Sequence, residues 1–128
     1  RFAEIYFNLK VKEMGLNWEA FSRGFRTGNP NNVGAISVYA QRGLKVRGID
    51  TYPEKFPEQI QEVDFKNADL IIALKEKEHR PYVQSDFPTW EGKIRFWHIH
   101  DLDASGPEEA LDNLEKALRT LMEELSSQ

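Results

Sequence analysis

Cysteine is absent from all 128 residues of this chain. That absence excludes disulfide bonds and cysteine-rich metal sites within the sequence, and it removes any thiol nucleophile. Long apolar runs are absent too, since none approaches the roughly 18 residues that a membrane-spanning helix needs. The first residues carry no recognisable secretory signal. We therefore expect a cytoplasmic protein with no membrane partner.

Acidic and basic residues are interspersed through most of the sequence, and the formal net charge is only -4. A weakly acidic surface of mixed sign does not favour nucleic acid as a partner. The hydrophobic share of 40% and the charged share of 30% are those of a soluble globular protein. A chain of this length forms one domain with a real core. We predict a single domain over residues 1–128 that acts as a monomer.

Apolar residues at helical spacing predict helices at both ends of the chain. The first helix is already under way at Arg1 and ends at Gly15. No capping residue and no initiator methionine precede it, so we expect the natural chain to begin earlier. The last helix runs from Pro107 to Leu125. Five leucines form its apolar stripe: Leu111, Leu114, Leu118, Leu121 and Leu125.

Three strands are predicted. Residues 69–74 are the clearest, because a continuous apolar run bounded by charges suggests burial on both faces. Residues 94–99 form a second buried strand, rich in β-branched and aromatic residues. Residues 18–25 form a third, short strand. Its inward-facing residues are Trp18, Ala20 and Phe21.

Two more helices are predicted between the strands, over residues 35–44 and over residues 76–84, the latter interrupted at Pro81. Strands that alternate with helices predict an α/β protein with three layers, α/β/α, around a small parallel sheet. Three strands make a thin sheet, and no strand feeds the first helix. We therefore expect a first strand to be missing before Arg1, at the centre of the sheet.

Two acidic residues are the first candidates for chemistry. Asp101 and Asp103 follow the predicted strand of residues 94–99. In open α/β sheets, ligands bind beyond the carboxyl ends of the strands, which is where these carboxylates lie. A turn or capping role is the alternative for Asp101.

The three histidines carry weaker signals. His98 and His100 alternate with Ile99, so they would point to the same side of a strand. A metal pair is conceivable, but no third ligand is obvious and loop packing is favoured. His79 lies in a charged helix, where we expect a solvated surface residue.

The start of the sequence resembles part of the low-molecular-weight protein tyrosine phosphatases. That family has a loop of a cysteine, five variable residues and an arginine, followed by Ser and a Pro-Met-Ala-Glu-like helix start. Ala3 and Glu4 match this helix start, whereas Arg1 and Phe2 replace its Pro-Met. The resemblance implies a flavodoxin-like, phosphotyrosine phosphatase I-like fold. It also implies that the nucleophilic cysteine and the phosphate-binding arginine lie upstream of Arg1.

Further matches follow in the family's order. Residues 21–24 resemble its Asp-Ser-Ala-Gly segment, and residues 69–73 resemble its Asp-Leu-Ile strand. Residues 99–102 fall where the family has Ile-x-Asp-Pro, whose aspartate is the general acid. Leu102 replaces the proline of that motif, and Lys75 stands where many members have an acidic residue. These departures bear on substrate preference rather than on the fold.

The resemblance implies roles for four residues. Asp101 would be the general acid, with Asp103 as the alternative acid. Ser22 would brace the phosphate loop, although a simple hydrogen-bonded hydroxyl is the alternative. Phe25 would form a wall of the substrate pocket, or else pack in the core.

The implied function is phosphomonoester hydrolysis through a cysteinyl phosphate, acting on phosphotyrosine proteins or small aryl phosphates and needing no cofactor. Two alternatives stay open: an arsenate reductase of the same fold, and a non-catalytic domain that binds anions or phosphopeptides. Because the thiol is absent, we expect the 128-residue chain alone to be inactive, and because a central strand is missing, we expect it to be poorly stable.

Overall fold

The computed structural model describes residues 2–24, 38–49, 58–99 and 107–127. These ranges contain five α-helices, one 3-10 helix and two β-strands. In chain order they are α1 (Phe2–Met14), α2 (Val38–Val46), α3 (Glu62–Asn67), β1 (Ile71–Ala73), α4 (Glu76–Asp86), the 3-10 helix (Pro88–Lys93), β2 (Ile94–Phe96) and α5 (Pro107–Ser126).

Helix α1 is anchored by its apolar face and ends as predicted. Four residues of that face are buried: Phe2, Tyr6, Phe7 and Val11. At the carboxyl end, Gly15 adopts a φ of 72°, a left-handed conformation that side chains with a Cβ rarely adopt. The chain then turns back so that the N–H of Leu16 donates to the carbonyl of Val11 at 2.9 Å. This turn ends the helix and gives one of its last carbonyl groups a hydrogen-bond donor.

The apolar stripe of α5 forms the core together with α1 and α2. The buried residues of α5 are Ala110, Leu114, Leu118, Leu121, Met122 and Leu125. Leu44 of α2 is fully buried against them, and Leu111 is only half-buried at the edge. The predicted leucine stripe is therefore confirmed, and burial of such side chains is the main force that holds these three helices together.

Arg47 fixes the crossing of α2 and α5. Its guanidinium donates to Glu115 at 3.0 Å and to Asp112 at 2.6 Å. The same group donates to the Gly43 carbonyl at 2.7 Å and lies 5.3 Å from the ring centre of Phe2. A planar guanidinium that satisfies several acceptors at once holds the two helices in one orientation.

The two strands form a parallel pair in which Ile72 lies opposite Arg95. Leu70, Ile72 and Leu74 pack against the helical core, so alternation turns Ile71 and Ala73 to the other face of the sheet. Strand β2 is less buried than predicted, because Arg95 is exposed and its neighbours are half-buried. Within the described ranges β2 has a strand on one side only, which makes it an edge strand.

Helix α4 continues through Pro81, so the predicted interruption is wrong. Proline costs this helix one N–H donor, but Pro81 is exposed, and Val83 two residues later is fully buried. Arg80 adds two ion pairs, to Glu76 at 2.6 Å and to Glu91 at 2.9 Å. The second of these ion pairs links α4 to the 3-10 helix. The ion pairs of Arg80 before Pro81 and the burial of Val83 after it together maintain the helix.

The predicted strand of residues 18–25 is also wrong within the described part. Residues 16–23 form no strand, and within the described part of this segment only Gly24 forms a bridge, parallel to Gln59. Trp18 and Ala20 pack against the core as predicted, whereas Phe21 is 45% exposed. The N–H groups of Ala20 and Ser22 donate to the α1 side chains Asn8 and Glu4 rather than to a neighbouring strand.

No helix in the described ranges is both long enough and apolar enough to span a membrane.

Candidate active site

A groove of about 460 Å³ lies between residues 17–23 and strand β1. Apolar side chains of α1 and α5 line it, among them Phe7, Leu118 and Leu121. Its polar side chains include Glu4, Ser22, Arg23, Asp64 and His79. An apolar cleft with a few convergent polar groups is the usual form of a small-molecule site, which makes this groove the candidate.

Ser22 is tied to the first turn of α1. One carboxylate oxygen of Glu4 accepts the Ser22 N–H at 2.8 Å and its hydroxyl at 3.2 Å. One turn further along α1, Asn8 accepts the Ala20 N–H at 2.7 Å and donates to the Ala20 carbonyl at 2.9 Å. The two helix side chains thus replace a neighbouring strand and hold the Ser22 hydroxyl beside the start of α1.

Arg23 is the basic side chain on this wall of the groove, and it is engaged by acidic partners. It forms ion pairs with Glu58 at 3.1 Å and with Asp64 at 3.4 Å. It also donates to the Ser22 carbonyl at 2.9 Å and lies 4.9 Å from the ring centre of Phe21. These contacts make Arg23 a structural bridge from residues 17–23 to α3 rather than a ready anion ligand.

His79 lies near the carboxyl end of β1 and lines the groove, so the prediction of a solvated surface residue is wrong. Its Nδ1 accepts the Lys75 N–H at 3.3 Å. Burial is the main effect that lowers the pKa of its imidazole. The negative charge of Glu78 raises this pKa, and the positive charge of Lys75 lowers it. The neutral ring is therefore the favoured form in the folded protein.

The same end of the sheet is closed by a short antiparallel bridge between Lys75 and His98. The Glu76 N–H donates to the Trp97 carbonyl at 2.9 Å there. His98 is exposed, and the described ranges contain no group of three or more His, Cys, Asp or Glu that could hold a metal ion. The carboxyl ends of β1 and β2 are thus held together.

Of the four predicted site residues, the structure describes Ser22 and not the other three. Asp101, Asp103 and Phe25 lie outside the described residues, as does His100. Sequence reasoning missed Glu4 as the partner of Ser22. An acidic residue in the first turn of a helix is already explained by the helix dipole, so nothing in the sequence pointed to a contact with Ser22.

The amino-terminal end of α1 borders the groove through Ala3 and Glu4. Free N–H groups in the first turn of a helix favour an anion. The carboxylate of Glu4 lies in that turn and accepts the N–H and the hydroxyl of Ser22. Chemically, this end of the groove suits an anionic ligand, whereas attack on it needs a nucleophile that these residues do not contain.

Comparison with known proteins gives one family and one fold. The sequence profile of the family described as "Low molecular weight phosphotyrosine protein phosphatase" matches residues 1–128. No curated protein sequence gives a significant match. Among solved structures, a low molecular weight protein tyrosine phosphatase from T. tengcongensis shares 27% identity over 96% of this chain and 88% of its own, with a TM-score of 0.78.

Two further structures are similar. The solution structure of a low molecular weight protein tyrosine phosphatase from Bacillus subtilis shares 22% identity over 99% of this chain and 89% of its own, with a TM-score of 0.77. A YwlE arginine phosphatase mutant with a phosphorylated active-site serine shares 20% identity over 98% and 86%, also with a TM-score of 0.77. These likenesses confirm the predicted α/β fold with its small parallel sheet.

Proposed function

Because this chain belongs to the low molecular weight phosphotyrosine protein phosphatase family, we propose that it acts as a phosphomonoester hydrolase through a cysteinyl phosphate. The family match, which runs over residues 1–128, is the observation that supports this most strongly. The substrates are phosphotyrosine proteins or small aryl phosphates. Since the sequence contains no cysteine, the thiol comes from outside these residues, and the 128-residue chain alone is inactive.

The reaction proceeds in two steps. A thiolate attacks phosphorus, and the P–O bond to the phenol breaks as the S–P bond forms. Asp101 donates a proton to the leaving phenolate in this step and takes a proton from water in the next, when the S–P bond is hydrolysed. Asp103, two residues later, is the alternative acid, because Leu102 replaces the proline that fixes this loop in the family.

Ser22 braces the phosphate-binding loop in this proposal. Its support is the tie to Glu4, which holds the hydroxyl beside the start of α1, the end of the groove that suits an anion. Phe25, three residues later, forms a wall of the substrate pocket. Neither residue takes part in making or breaking bonds. Ser22 positions the phosphate-binding loop, and Phe25 positions the substrate.

An arsenate reductase is the alternative within the same fold, and it differs in the step that follows anion binding. A reductase needs a thiol to supply electrons, whereas a phosphatase needs an acid and water. Residues 76–90 contain no cysteine, which disfavours the form that uses further thiols after β1. Asp101 and Asp103 supply the acid that hydrolysis needs.

A third candidate substrate arises from one comparison. A similar structure is named as an arginine phosphatase, in which the bond to be broken joins phosphorus to nitrogen. A leaving guanidine also takes up a proton, so the acid at Asp101 suits this substrate as well. Phosphoarginine therefore belongs in the same assay as phosphotyrosine.

The test uses the chain joined at Arg1 to a strand and an intact cysteine-to-arginine loop of the family. One preparation is assayed for phosphate release from an aryl ester and from phosphoarginine, and for thiol-dependent production of arsenite from arsenate. We expect ester hydrolysis without thiol consumption. The matched control replaces the loop cysteine by serine. Robust arsenite production with negligible ester hydrolysis would contradict the proposal.

A further inference from the structure

Arg47 lies where α2 meets both α5 and the start of α1. We propose that Arg47 is a positioning residue, which clamps the first turn of α1 to the first turns of α5 in the relative placement that the reaction needs. Its catalytic consequence rests on the proposed function, whereas the clamp itself rests on contacts between described residues.

The guanidinium of Arg47 contacts all three helices. On α5, its Nε donates to Glu115 at 3.0 Å and its Nη2 donates to Asp112 at 2.6 Å. Its Nη1 donates to the carbonyl of Gly43 on α2 at 2.7 Å, and its Cζ lies 5.3 Å from the ring centre of Phe2, the first residue of α1. The side chain is only 17% exposed, so these partners replace most of its water. A planar fork with three acceptors and an aromatic ring around it is held in one placement.

These contacts continue into a closed circuit that includes the first turn of α1. Phe2 stacks on Tyr6, with ring centres 5.6 Å apart and ring planes 11° apart. The Tyr6 hydroxyl accepts a hydrogen bond from Arg119 at 3.1 Å, and Arg119 pairs with Glu115 at 3.3 Å. Glu115 in turn accepts from Arg47, which closes the circuit. Because both rings are buried, a shift of the first turn of α1 would break at least one of these contacts.

The charge of Glu115 holds the circuit together. Burial acts to raise the pKa of its carboxyl, but the hydrogen bonds with Tyr6 and Arg47 and the positive charges of Arg47 and Arg119 keep that pKa below the ordinary value. The carboxylate is therefore ionised at neutral pH and keeps its partners.

Close packing between α2 and α5 leaves the clamp little freedom. A Cβ added at Gly43 would lie 2.5 Å from the Cδ1 of Leu111, so the backbone of α2 lies directly against α5 at this point. The same Cβ would lie 3.5 Å from the ring of Phe2. A contact with no room for a methyl group transmits a displacement instead of absorbing it.

The two helices that Arg47 joins carry the two halves of the proposed reaction. The first turn of α1, where Phe2 lies, borders the end of the groove that suits an anion. Helix α5 begins at Pro107, six residues after the proposed acid Asp101, and Asp112 lies in its second turn. A misplacement of about 1 Å in a site can cost about a hundredfold in rate. Arg47 does not line the groove, so its effect is on placement and not on bond making.

The first test needs no catalysis. It uses the chain joined at Arg1 to the family's strand and loop, with the loop cysteine replaced by serine. Arg47→Met should speed amide hydrogen exchange in residues 6–9, whose N–H groups donate within the first turns of α1, by about tenfold. Calorimetry should show binding of inorganic phosphate that is about tenfold weaker. The matched control is Arg42→Met, the same change at an exposed position of α2, which should alter neither measurement.

The second test restores the cysteine and compares aryl esters whose leaving phenols differ in pKa. Arg47→Met should lower kcat about tenfold for the poorest leaving groups and much less for the best, because poor leaving groups depend most on a well-placed acid. A role in stability alone would reduce the amount of folded enzyme, which lowers kcat equally for all esters and leaves KM unchanged. Arg47→Lys keeps the charge but not the planar fork, so its kcat should lie between those of the original and Arg47→Met.

Equal exchange and equal phosphate affinity in Arg47→Met and Arg42→Met would overturn the proposal. An equal loss of kcat for good and poor leaving groups would overturn it too. If Arg47→Met does not fold, Asp112→Asn replaces it, because this change removes one arm of the clamp at a side chain that is 61% exposed; it must show the same pattern in smaller measure. Should the original joined chain bind no phosphate and hydrolyse no ester, the proposed function is wrong, and the exchange comparison alone decides whether Arg47 clamps α1 to α5.

Discussion

Glu4 and Ser22 lie 18 residues apart in the sequence, yet one carboxylate oxygen of Glu4 accepts both the backbone N–H and the hydroxyl of Ser22. This contact joins the first turn of α1 to the wall of the groove formed by residues 17–23. It gives a physical reason for an acidic residue at this position besides the helix dipole. It also identifies the residue that fixes the Ser22 hydroxyl.

The first prediction concerns this contact. Glu4→Ala should lower the free energy of unfolding by about 1.5–3 kcal/mol, because hydrogen bonds to a charged group are stronger than neutral ones and a half-buried N–H loses its acceptor. Ser22→Ala should cost only about 0.5–1.5 kcal/mol, since the backbone N–H still donates to Glu4. Urea unfolding measures both. The control is Glu13→Ala, an exposed position on α1. A larger loss for Ser22→Ala than for Glu4→Ala would show that the hydroxyl, and not the carboxylate, holds this wall.

The second prediction compares two neighbours on α2. Leu44 is 0% exposed and Val46 is 75% exposed. Leu44→Ala leaves a cavity against α5, so it should lower the free energy of unfolding by about 2–5 kcal/mol. Val46→Ala should change it by less than about 0.5 kcal/mol, because nothing buried is lost. Equal shifts of the urea midpoint in the two variants would mean that α2 does not dock on α5 as described.

Local patterns in the sequence predicted helices at α1, α2, α4 and α5 and the clearest strand. The leucine stripe of α5 and the glycine that ends α1 are short-range signals, with periodicity and left-handed geometry as their causes. Residues 69–74 were predicted as a strand and form β1 at Ile71–Ala73. Such features need no knowledge of distant neighbours.

The errors arose where tertiary contacts decide the outcome. Residues 18–25 have the composition of a strand, but Ala20 and Ser22 in this range pair with Asn8 and Glu4, which the sequence does not connect to them. Pro81 is a helix breaker by local rules, but packing on both sides of it maintains α4. His79 is surrounded by charges in the sequence, whereas in the fold its ring is half-buried. Local pattern carries no information on any of these contacts.

The third prediction is a pH dependence caused by His79. Burial lowers the pKa of its imidazole below the ordinary value of 6.5. The folded state therefore binds this proton less readily than the unfolded state does. The contribution of the neutral His79 ring to the free energy of unfolding is fully present above pH 6.5. It is lost as the pH falls through the pKa that His79 has in the folded protein. Urea unfolding between about pH 7.5 and pH 5.5 should show the loss in the original protein and a flatter profile in His79→Asn. Val46→Ala, at an exposed position, removes no titratable group, so it is the control and should follow the original protein. Identical slopes in all three proteins would contradict the assignment.

The fourth prediction concerns the acid in the chain that carries a restored phosphate loop. Asp101→Asn should lower the maximal rate of ester hydrolysis by about 10²- to 10⁴-fold, the usual contribution of a general acid. The loss should be largest for poor leaving groups, which need the proton most. Asp103→Asn is the matched control and should lose much less. Equal losses, or a larger loss at Asp103, would contradict the assignment of the general acid to Asp101 and favour Asp103, two residues further along the chain.

The central claim is that residues 1–128 carry the scaffold and the acid of a phosphatase whose thiol lies outside them. The direct measurement is phosphate release from an aryl ester by two proteins side by side, the 128-residue chain and the same chain joined at Arg1 to a strand and cysteine-to-arginine loop of the family. We expect no release above background from the first. The second should release phosphate at a rate that falls to background when iodoacetate alkylates its cysteine. Hydrolysis by the 128-residue chain alone, or hydrolysis by the joined chain that survives alkylation, would contradict the account.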